Sequence, residues 1–331
     1  MDTLQNTWSG IYREIAKEDI PGDEILRITA TLYYGPGQGK PRSAEESLDL
    51  LRKECASFDK PRQISARLLD VARKLVELYR SPHLGPITEI LHARVLAVAL
   101  KSAQGVTEEE RGLLLEQWER TTFRIFGLFN KDSRTKVGDY VRLASKIVAE
   151  SLDTRTYNQI MKGLRDLGAD FPINQALQEG LIGKDFYARP EECRYLLWSY
   201  EEHLAKQMGG AATVDETEKS KIWKLRAFDS IEHVFPQVPA PGTWIGKLND
   251  AGGIPQPLEA CVGRIGNLLL LPIALNVEAR NYPFEEKKKT YIKHNLRMVQ
   301  EVCEPTDWTL AEIVAREDRI VAWALTRWDD I

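Results

Sequence analysis

The sequence predicts a mainly α-helical protein in which an N-terminal helical bundle is followed by a small α+β domain. Apolar residues recur at helical spacing over residues 1–205, and helix-capping patterns divide that region into separate helices. Beyond residue 230, two short apolar segments are separated by a stretch rich in proline and glycine. We therefore expect an all-α scaffold or regulatory domain at 1–206 and a second domain at 207–331.

The N-terminal helices are predicted from caps and apolar faces. Ser43 with Glu46, and Thr107 with Glu110, have the spacing of reciprocal capping boxes. Pro190 suits the first turn of a later helix, because a helix needs no backbone N–H donor there. One apolar face recurs at intervals of four and three residues, at Ile64, Leu68, Val71, Leu75 and Leu78, and another follows Thr107 at Leu114, Trp118, Ile125 and Phe129.

A glycine-rich segment at residues 35–40 superficially resembles a phosphate-binding loop. Tyr34 stands where the first glycine of that motif belongs, and Pro41 replaces the hydroxyl residue that would hold magnesium. We therefore interpret the segment as an ordinary loop. Residues 208–221, which combine small residues with mixed charges, are predicted to be a linker.

The second domain is predicted to contain two strands and at least two helices. The first strand ends near His233 and the second covers Leu268 to Leu271, with little regular structure expected over residues 236–265 between them. Pro272 can open a helix that carries Asn276. Thr309 and Glu312 are expected to cap a final amphipathic helix that packs on this small unit.

Composition excludes several classes of protein. The net charge of −4 argues against a uniformly basic nucleic-acid binder, and no segment has the roughly 20 apolar residues needed to cross a bilayer. No export signal is visible at the N-terminus. The four cysteines are widely spaced and form no Cys-x-x-Cys pattern, so we expect a reduced, cytoplasmic protein without structural zinc.

Candidate chemistry is concentrated at two places in the second domain. A histidine beside a carboxylate, His233 and Glu232, ends the first strand, and Asn267 and Asn276 flank the second. A neutral histidine can take a proton from water, while carboxylate and amide oxygens suit a hard divalent ion. Each residue also has a simpler interpretation: His233 as a hydrogen-bonded core residue, Asn267 as a turn residue and Asn276 as an ordinary helix residue. Their joint spacing favours a phosphodiesterase site.

A basic run follows these residues. Residues 280–297 include six basic and two acidic side chains. Such a run is usually a solvated helix face, but its position beside the candidate site favours phosphate binding. The predicted DNA-binding residues are Arg280, Lys287, Lys288, Lys289 and Lys293.

These blocks, written EH-x-x-P-Q, I-G-N-L-x-L-L, L-N and N-x-x-F-x-x-K, resemble the C-terminal HNH nuclease of GmrSD-type restriction proteins. That family is a branch of the His-Me finger, or ββα-metal, endonucleases, and the resemblance covers about residues 228–328. It implies His233 as general base, Glu232 and Asn276 as metal-side residues, and Asn267 as the residue bracing the histidine loop. It also matches Lys287 to the family lysine and implies one Mg²⁺ or Mn²⁺ per site.

The function implied by the resemblance is a metal-dependent DNA endonuclease, acting as a nickase in restriction-modification or antiviral defence. Its substrate would be phage or modified DNA, and a nucleotide-hydrolysing (NTPase) domain or partner subunit would regulate it, because related proteins often carry one and none is recognisable here. Two alternatives stay open: a catalytically inactive module that binds DNA or a protein partner, and a ribonuclease with the same site chemistry.

Overall fold

A computed structural model describes residues 2–18, 20–56, 60–80, 90–149, 157–207, 222 and 227–329. The chain divides into two compact units, residues 1–172 and 173–329. Helices dominate both, and the strands among the described residues form one two-stranded antiparallel sheet in the second unit. The predicted fold class, mainly α with a small α+β part, is therefore confirmed.

The first unit is helical throughout its described regular structure. Its α-helices are α1 Asp2–Ile15, α2 Gly22–Tyr34, α3 Ala44–Glu54, α4 Lys60–Arg80, α5 Leu91–Lys101, α6 Glu108–Thr122, α7 Val137–Val148 and α8 Tyr157–Gly168. Both predicted capping boxes form, at Ser43 for α3 and at Thr107 for α6. The predicted apolar face of α4 is buried along its length, as expected for a helix whose core side is set by apolar spacing.

The helix that begins at Glu108 changes its winding partway along. After Thr122 it continues as a π-helix over Phe123–Leu128. Ile125 and Phe129 are buried as predicted. The side chain of Phe123 lies where a Cβ on Gly127 would project, so glycine at 127 allows this packing.

The second unit contains the helices and the sheet of the predicted α+β part. Its elements are α9 Ile173–Gly180, α10 Pro190–Gln207, α11 Ala227–Ser230, β1 Ile231–His233, β2 Leu268–Leu270, α12 Ile273–Ala279, α13 Phe284–Tyr291, α14 Arg297–Cys303 and α15 Leu310–Arg327. Strand β1 pairs antiparallel with β2, with Glu232 opposite Leu269. Between the strands two short 3₁₀ turns and an isolated bridge between Asn249 and Pro255 interrupt the irregular chain, as predicted from its composition.

The final helix packs against the turn that precedes β2, as expected from its apolar face. Arg316 on α15 is fully buried and donates from Nη1 to the carbonyls of Gly266 at 3.0 Å and Leu268 at 2.7 Å. The predicted side-chain cap by Thr309 is wrong, because its hydroxyl forms no cap bond. The first amide of the helix, at Leu310, donates instead to the carbonyl of Lys247 at 2.7 Å, so a tertiary contact replaces the local one.

Four further expectations concern the chain as a whole. The predicted boundary between residues 206 and 207 falls inside the second unit, and it stays a prediction about domain organisation. The predicted linker at 208–221 lies outside the described residues. Across the described helices, none is long and apolar enough to span a bilayer, and all four cysteines are free thiols.

Candidate active site

A polar cavity of about 350 Å³ lies beside the small sheet of the second unit. Strand β1 contributes Glu232 and His233 to its lining, and α12 contributes Asn276. The remaining lining residues come from loops and from the strand and helix ends, at Tyr187, Ile231, Pro236, Gln237, Val238, Arg280 and Asn281. Three residues that the sequence singled out for chemistry therefore border one space.

His233 is positioned to act as a neutral base. Its side chain is 7% exposed, and its Nε2 atom has no hydrogen-bond partner among the described residues. Burial, aided by the positive charge of Lys287, lowers the pKa of His233 to about 3. The ring of Tyr187 meets the imidazole edge to face at a centroid distance of 4.3 Å. The imidazole is therefore held neutral, with its buried Nε2 free of any hydrogen bond to a described residue.

Glu232 belongs to a buried polar network. Lys287 donates from Nζ to Glu232 Oε1 at 2.7 Å and to the carbonyl of His233 at 2.6 Å. The hydroxyl of Tyr291 donates to the same carboxylate oxygen at 2.7 Å. Burial raises the pKa of Glu232, while the adjacent ammonium of Lys287 opposes that shift. Both of these bonds use Oε1, and the carboxylate also accepts a hydrogen bond from the backbone of His233.

Asn276 has one end of its amide fixed by the backbone. Its Nδ2 donates to the carbonyls of Asp229 at 3.1 Å and Ile231 at 3.3 Å. These two bonds orient the amide, and because the nitrogen is occupied the carbonyl oxygen is the end left for a ligand. The helix that carries Asn276 begins directly after Pro272, near the position predicted from the sequence.

Asn267 lies outside the cavity lining and is completely buried. Its side chain exchanges two bonds with the backbone of Phe235: Phe235 N donates to Oδ1 at 2.7 Å, and Nδ2 donates to Phe235 O at 2.9 Å. Trp308 Nε1 also donates to Oδ1 at 3.0 Å. This geometry suits the bracing role expected from the resemblance, because it fixes the backbone two residues after His233.

The donor set fits a hard divalent cation. Glu232 Oε2 and the side-chain oxygen of Asn276 are the oxygen ligands that Mg²⁺ or Mn²⁺ favours, and both residues border the cavity. No group of three or more His, Cys, Asp or Glu residues is placed to enclose a metal within the described part of the chain. Few protein ligands are usual for Mg²⁺, which keeps several of its waters.

The basic run is divided among different roles. Lys287 is fully buried and bonded to Glu232, so it does not reach a DNA phosphate in this structure. Lys288 donates to the carbonyl of Pro305 at 2.5 Å, and Lys289 and Lys293 pair with Glu286 and Glu278. Arg280 differs from them.

Arg280 is exposed, borders the cavity, and has no carboxylate partner among the described residues. It also has a φ of 47°, which is rare for residues other than glycine and carries a conformational cost. It is the member of the run best placed to meet a phosphate.

Tyr187 and Tyr291 are site residues that the sequence patterns did not predict. Tyr187 follows Phe186, whose amide donates to Gly263 O at 2.8 Å, and this contact brings a distant segment to His233. A Cβ at Gly263 would overlap the side chain of Asp185, so the approach depends on glycine there. A tyrosine in a loop has no periodicity to mark it, whereas Gly263 was the available signal of a close backbone approach.

The second unit is thus a helix-rich domain in which a two-stranded sheet, the helix after it and a polar cavity hold a histidine, a carboxylate and an amide together. Residues 171–323 match the family model for GmrSD restriction endonucleases, C-terminal domain. The match includes every residue of the candidate site, confirms the resemblance found in the sequence blocks, and indicates a nuclease domain of the restriction-endonuclease type. A comparison of the chain with curated proteins finds no match.

Proposed function

We propose that the second unit is an HNH-type, metal-dependent DNA endonuclease with His233 as its general base. The observation that carries this proposal is the placement of His233, Glu232 and Asn276 on one cavity, with the buried Nε2 of His233 unpaired. The chain order β1, β2, α12 is also that of a ββα-metal site.

The chemistry assigned to His233 is proton transfer. A water molecule within reach of Nε2 loses a proton to the neutral imidazole as its oxygen attacks phosphorus. The bond from phosphorus to the 3′ oxygen breaks, and that oxygen takes a proton from solvent. The products are a 5′ phosphate and a 3′ hydroxyl. Tyr187 and the backbone braced by Asn267 hold the imidazole in place for this step.

Glu232 and Asn276 are the residues that would hold Mg²⁺ or Mn²⁺. When bound, such a cation supplies positive charge that stabilises the departing oxygen. Lys287 and Tyr291 keep the carboxylate of Glu232 fixed through its other oxygen. We assign Lys287 and Tyr291 to positioning, and we do not propose Lys287 as a DNA contact.

Arg280 is proposed as the main phosphate contact beside the cavity, with Lys288, Lys289 and Lys293 contributing only weak long-range attraction. The three lysines already have carboxylate or carbonyl partners, which a phosphate would have to displace. One site of this kind cuts one strand, so we expect nicks from a monomer. The family further suggests a role against phage or modified DNA, with an NTPase partner and a cytoplasmic location.

The decisive experiment incubates supercoiled plasmid and labelled RNA in parallel with the full chain and Mg²⁺. We expect nicked circles that can be resealed by DNA ligase, and no cut RNA. His233→Ala should lower the nicking rate by roughly 10²–10⁴ while keeping the wild-type unfolding temperature. Asn276→Ala should also lose activity, and excess Mn²⁺ should restore part of it if the amide holds the metal.

Matched variants test the substrate contact. Arg280→Ala should weaken DNA binding and lower the slope of log K against log salt by about 0.9, as expected for one lost phosphate contact. Lys289→Ala, which removes an exposed charge paired with Glu286, should leave that slope nearly unchanged. Nicking by His233→Ala at the wild-type rate would contradict the proposal, and RNA cleavage without DNA cleavage would replace it with a ribonuclease.

A further inference from the structure

A second cavity, of about 670 Å³, lies entirely within the first unit. Its volume is in the range of small-molecule sites. Four separate stretches of chain border it: α2, the segment from Lys40 into α3, the start of α5, and the start of α7 with the turn before it. Nothing in the proposed nuclease chemistry uses this space.

Cationic groups border the cavity. Arg27 and Lys40 both line it, neither forms a salt bridge among the described residues, and Arg27 donates from Nε to the carbonyl of Arg42 at 3.1 Å. Helix α5 begins after Ile90 without a side-chain cap, and α7 begins after Lys136 without one. Uncapped helix starts present backbone N–H donors and partial positive charge, which favour anions.

His92 supplies an independent indication that this cavity is a binding site. It lines the cavity but is only 3% exposed, and its Nε2 atom has no hydrogen-bond partner among the described residues. Its ring contacts Tyr140 and Phe126 edge to face, at 5.1 and 5.6 Å, so its orientation is fixed by packing. Buried polar side-chain atoms are normally bonded, so an unbonded one beside an open space points to a ligand atom.

The glycine-rich segment explains how Lys40 reaches this place. The backbone of Gly37 and Lys40 forms a bridge, with N···O distances of 3.0 and 3.1 Å, across a tight turn. Gln38 and Gly39 in that turn have φ of 50° and 76°, a geometry that glycine adopts without strain. The segment is not a P-loop, but its turn delivers a lysine to the cavity just before the capped start of α3.

We propose that this cavity binds the phosphate group of a small, hydroxyl-bearing phosphate ester, such as a nucleotide. Arg27, Lys40 and the open helix starts contact the phosphate oxygens, and the lone pair of His92 Nε2 accepts a hydrogen bond from a hydroxyl group of the ester. Glu45 and Glu46 also border the cavity. The carboxylate of Glu46 already accepts from the amide of Ser43, so Glu45 is the acceptor for a ligand hydroxyl, which favours an organic ester over inorganic phosphate. The first unit would thereby sense a metabolite.

The test is calorimetric titration of the full chain with ADP, adenosine and inorganic phosphate, at constant ionic strength and with a chelator present. ADP should bind saturably, inorganic phosphate more weakly, and adenosine not at all. Arg27→Gln with Lys40→Gln should weaken ADP binding by about tenfold or more, since hydrogen bonds to charged groups are lost. If the double variant fails to fold, Lys40→Gln alone, a change at an exposed position, should show part of the loss of ADP affinity.

Two controls separate this site from the nuclease cavity and from general charge. Lys53→Gln with Arg62→Gln removes two exposed charges of the first unit that do not line the cavity, and it should bind as the wild type does. His233→Ala should also bind normally. The proposal would be overturned if ADP did not bind saturably, or if the Arg27 and Lys40 double variant bound ADP as tightly as the wild type. It would also be overturned if the control variant lost as much affinity as the double variant. Loss in His233→Ala alone would place the nucleotide at the nuclease cavity.

Discussion

Lys287 illustrates how a residue's role depends on its surroundings more than on its chemical type. In the sequence it is one of three consecutive lysines within a basic run. In the fold its side chain is completely buried, and its ammonium bonds Glu232 and the carbonyl of His233. A buried ion pair of this kind holds both partners in place, although its net contribution to stability is small.

Removing one member of this pair should destabilise the second unit strongly. Lys287→Met leaves the carboxylate of Glu232 buried without its counter-ion, at an expected cost of about 3–5 kcal/mol in the free energy of unfolding. Glu232→Gln with Lys287→Met removes both charges and should cost much less. Denaturant unfolding of the single and double variants measures the difference.

Activity adds a second readout to the same variants. The double variant should be folded yet inactive in nicking, because it lacks the proposed metal ligand Glu232. A double variant as unstable as Lys287→Met would show that the charge pair is not the cause of the loss.

Because His92 is buried, we expect the first unit to lose stability in acid. Burial lowers the pKa of His92 to about 4 in the folded state, against an ordinary value near 6.5. Between these values the unfolded chain binds more protons, so stability is fully present above pH 6.5 and falls as the pH drops toward 4. The loss attributable to this residue is at most about 3 kcal/mol.

The measurement is denaturant unfolding of the full chain at several pH values, following the transition of the first unit. His92→Gln should flatten its pH dependence between 6.5 and 4. His203→Gln, in the second unit, should leave that dependence unchanged. A variant at position 92 with the same acid sensitivity as the wild type would rule out His92 as the group responsible.

At the scale of elements, the site depends on how closely α15 approaches the turn before β2. Gly266 lies in that turn, where a Cβ would overlap the carbonyl oxygen of Ile313 and lie 2.9 Å from the amide of Glu317. Arg316 of the same helix bonds the carbonyls on either side of Asn267. The position of β2, and through Asn267 that of the histidine loop, therefore depends on a glycine.

Gly266→Ala should separate these two elements. We expect a loss of about 1–3 kcal/mol in unfolding free energy from overpacking, together with reduced nicking. Gly112→Ala is the matched control, because nothing lies within 4 Å of its Cβ position and the residue is within α6. That variant should be stabilised by about 0.5–1 kcal/mol. Thermal unfolding distinguishes the two, and equal stability of Gly266→Ala and wild type would contradict the packing argument.

At the scale of the whole molecule, α10 is an integral part of the second unit. Glu201 on this helix accepts bonds from the amides of Arg297 at 2.6 Å and Met298 at 2.8 Å, at the start of α14. Tyr187, just before α10, contacts the ring of His233. A nuclease fragment therefore needs residues that precede position 207.

Fragments test this division. Residues 173–331 should fold and keep metal-dependent nicking, whereas residues 207–331 should be unstable because they lack α10 and Tyr187. Residues 1–172 should cleave nothing, consistent with a scaffold or regulatory role. Circular dichroism and plasmid nicking assess each fragment. A stable, active 207–331 fragment would support the boundary expected from the sequence, and cleavage by 1–172 would contradict the assignment of chemistry to the second unit.

Local sequence patterns were sufficient to predict the helical architecture, the positions of both strands and the candidate catalytic residues. Apolar spacing marks buried helix faces such as that of α4, and hydroxyl residues mark helix starts at Ser43 and Thr107. Blocks separated by fixed intervals also indicated that His233, Asn267 and Asn276 belong to one part of the fold. The helix features are predictable because each depends on residues that are neighbours along the chain, whereas the candidate site residues were grouped by the order of the sequence blocks.

Tertiary packing alone settled which basic residues face solvent, what replaces the cap at Thr309, and which tyrosines reach the site. Lys287 is buried because Glu232, 55 positions earlier, offers a charge partner. Tyr187 meets His233 because Gly263 admits a close backbone contact from a remote segment. Such outcomes depend on pairing between residues distant in sequence, and local patterns carry no information about which distant partner a side chain will find.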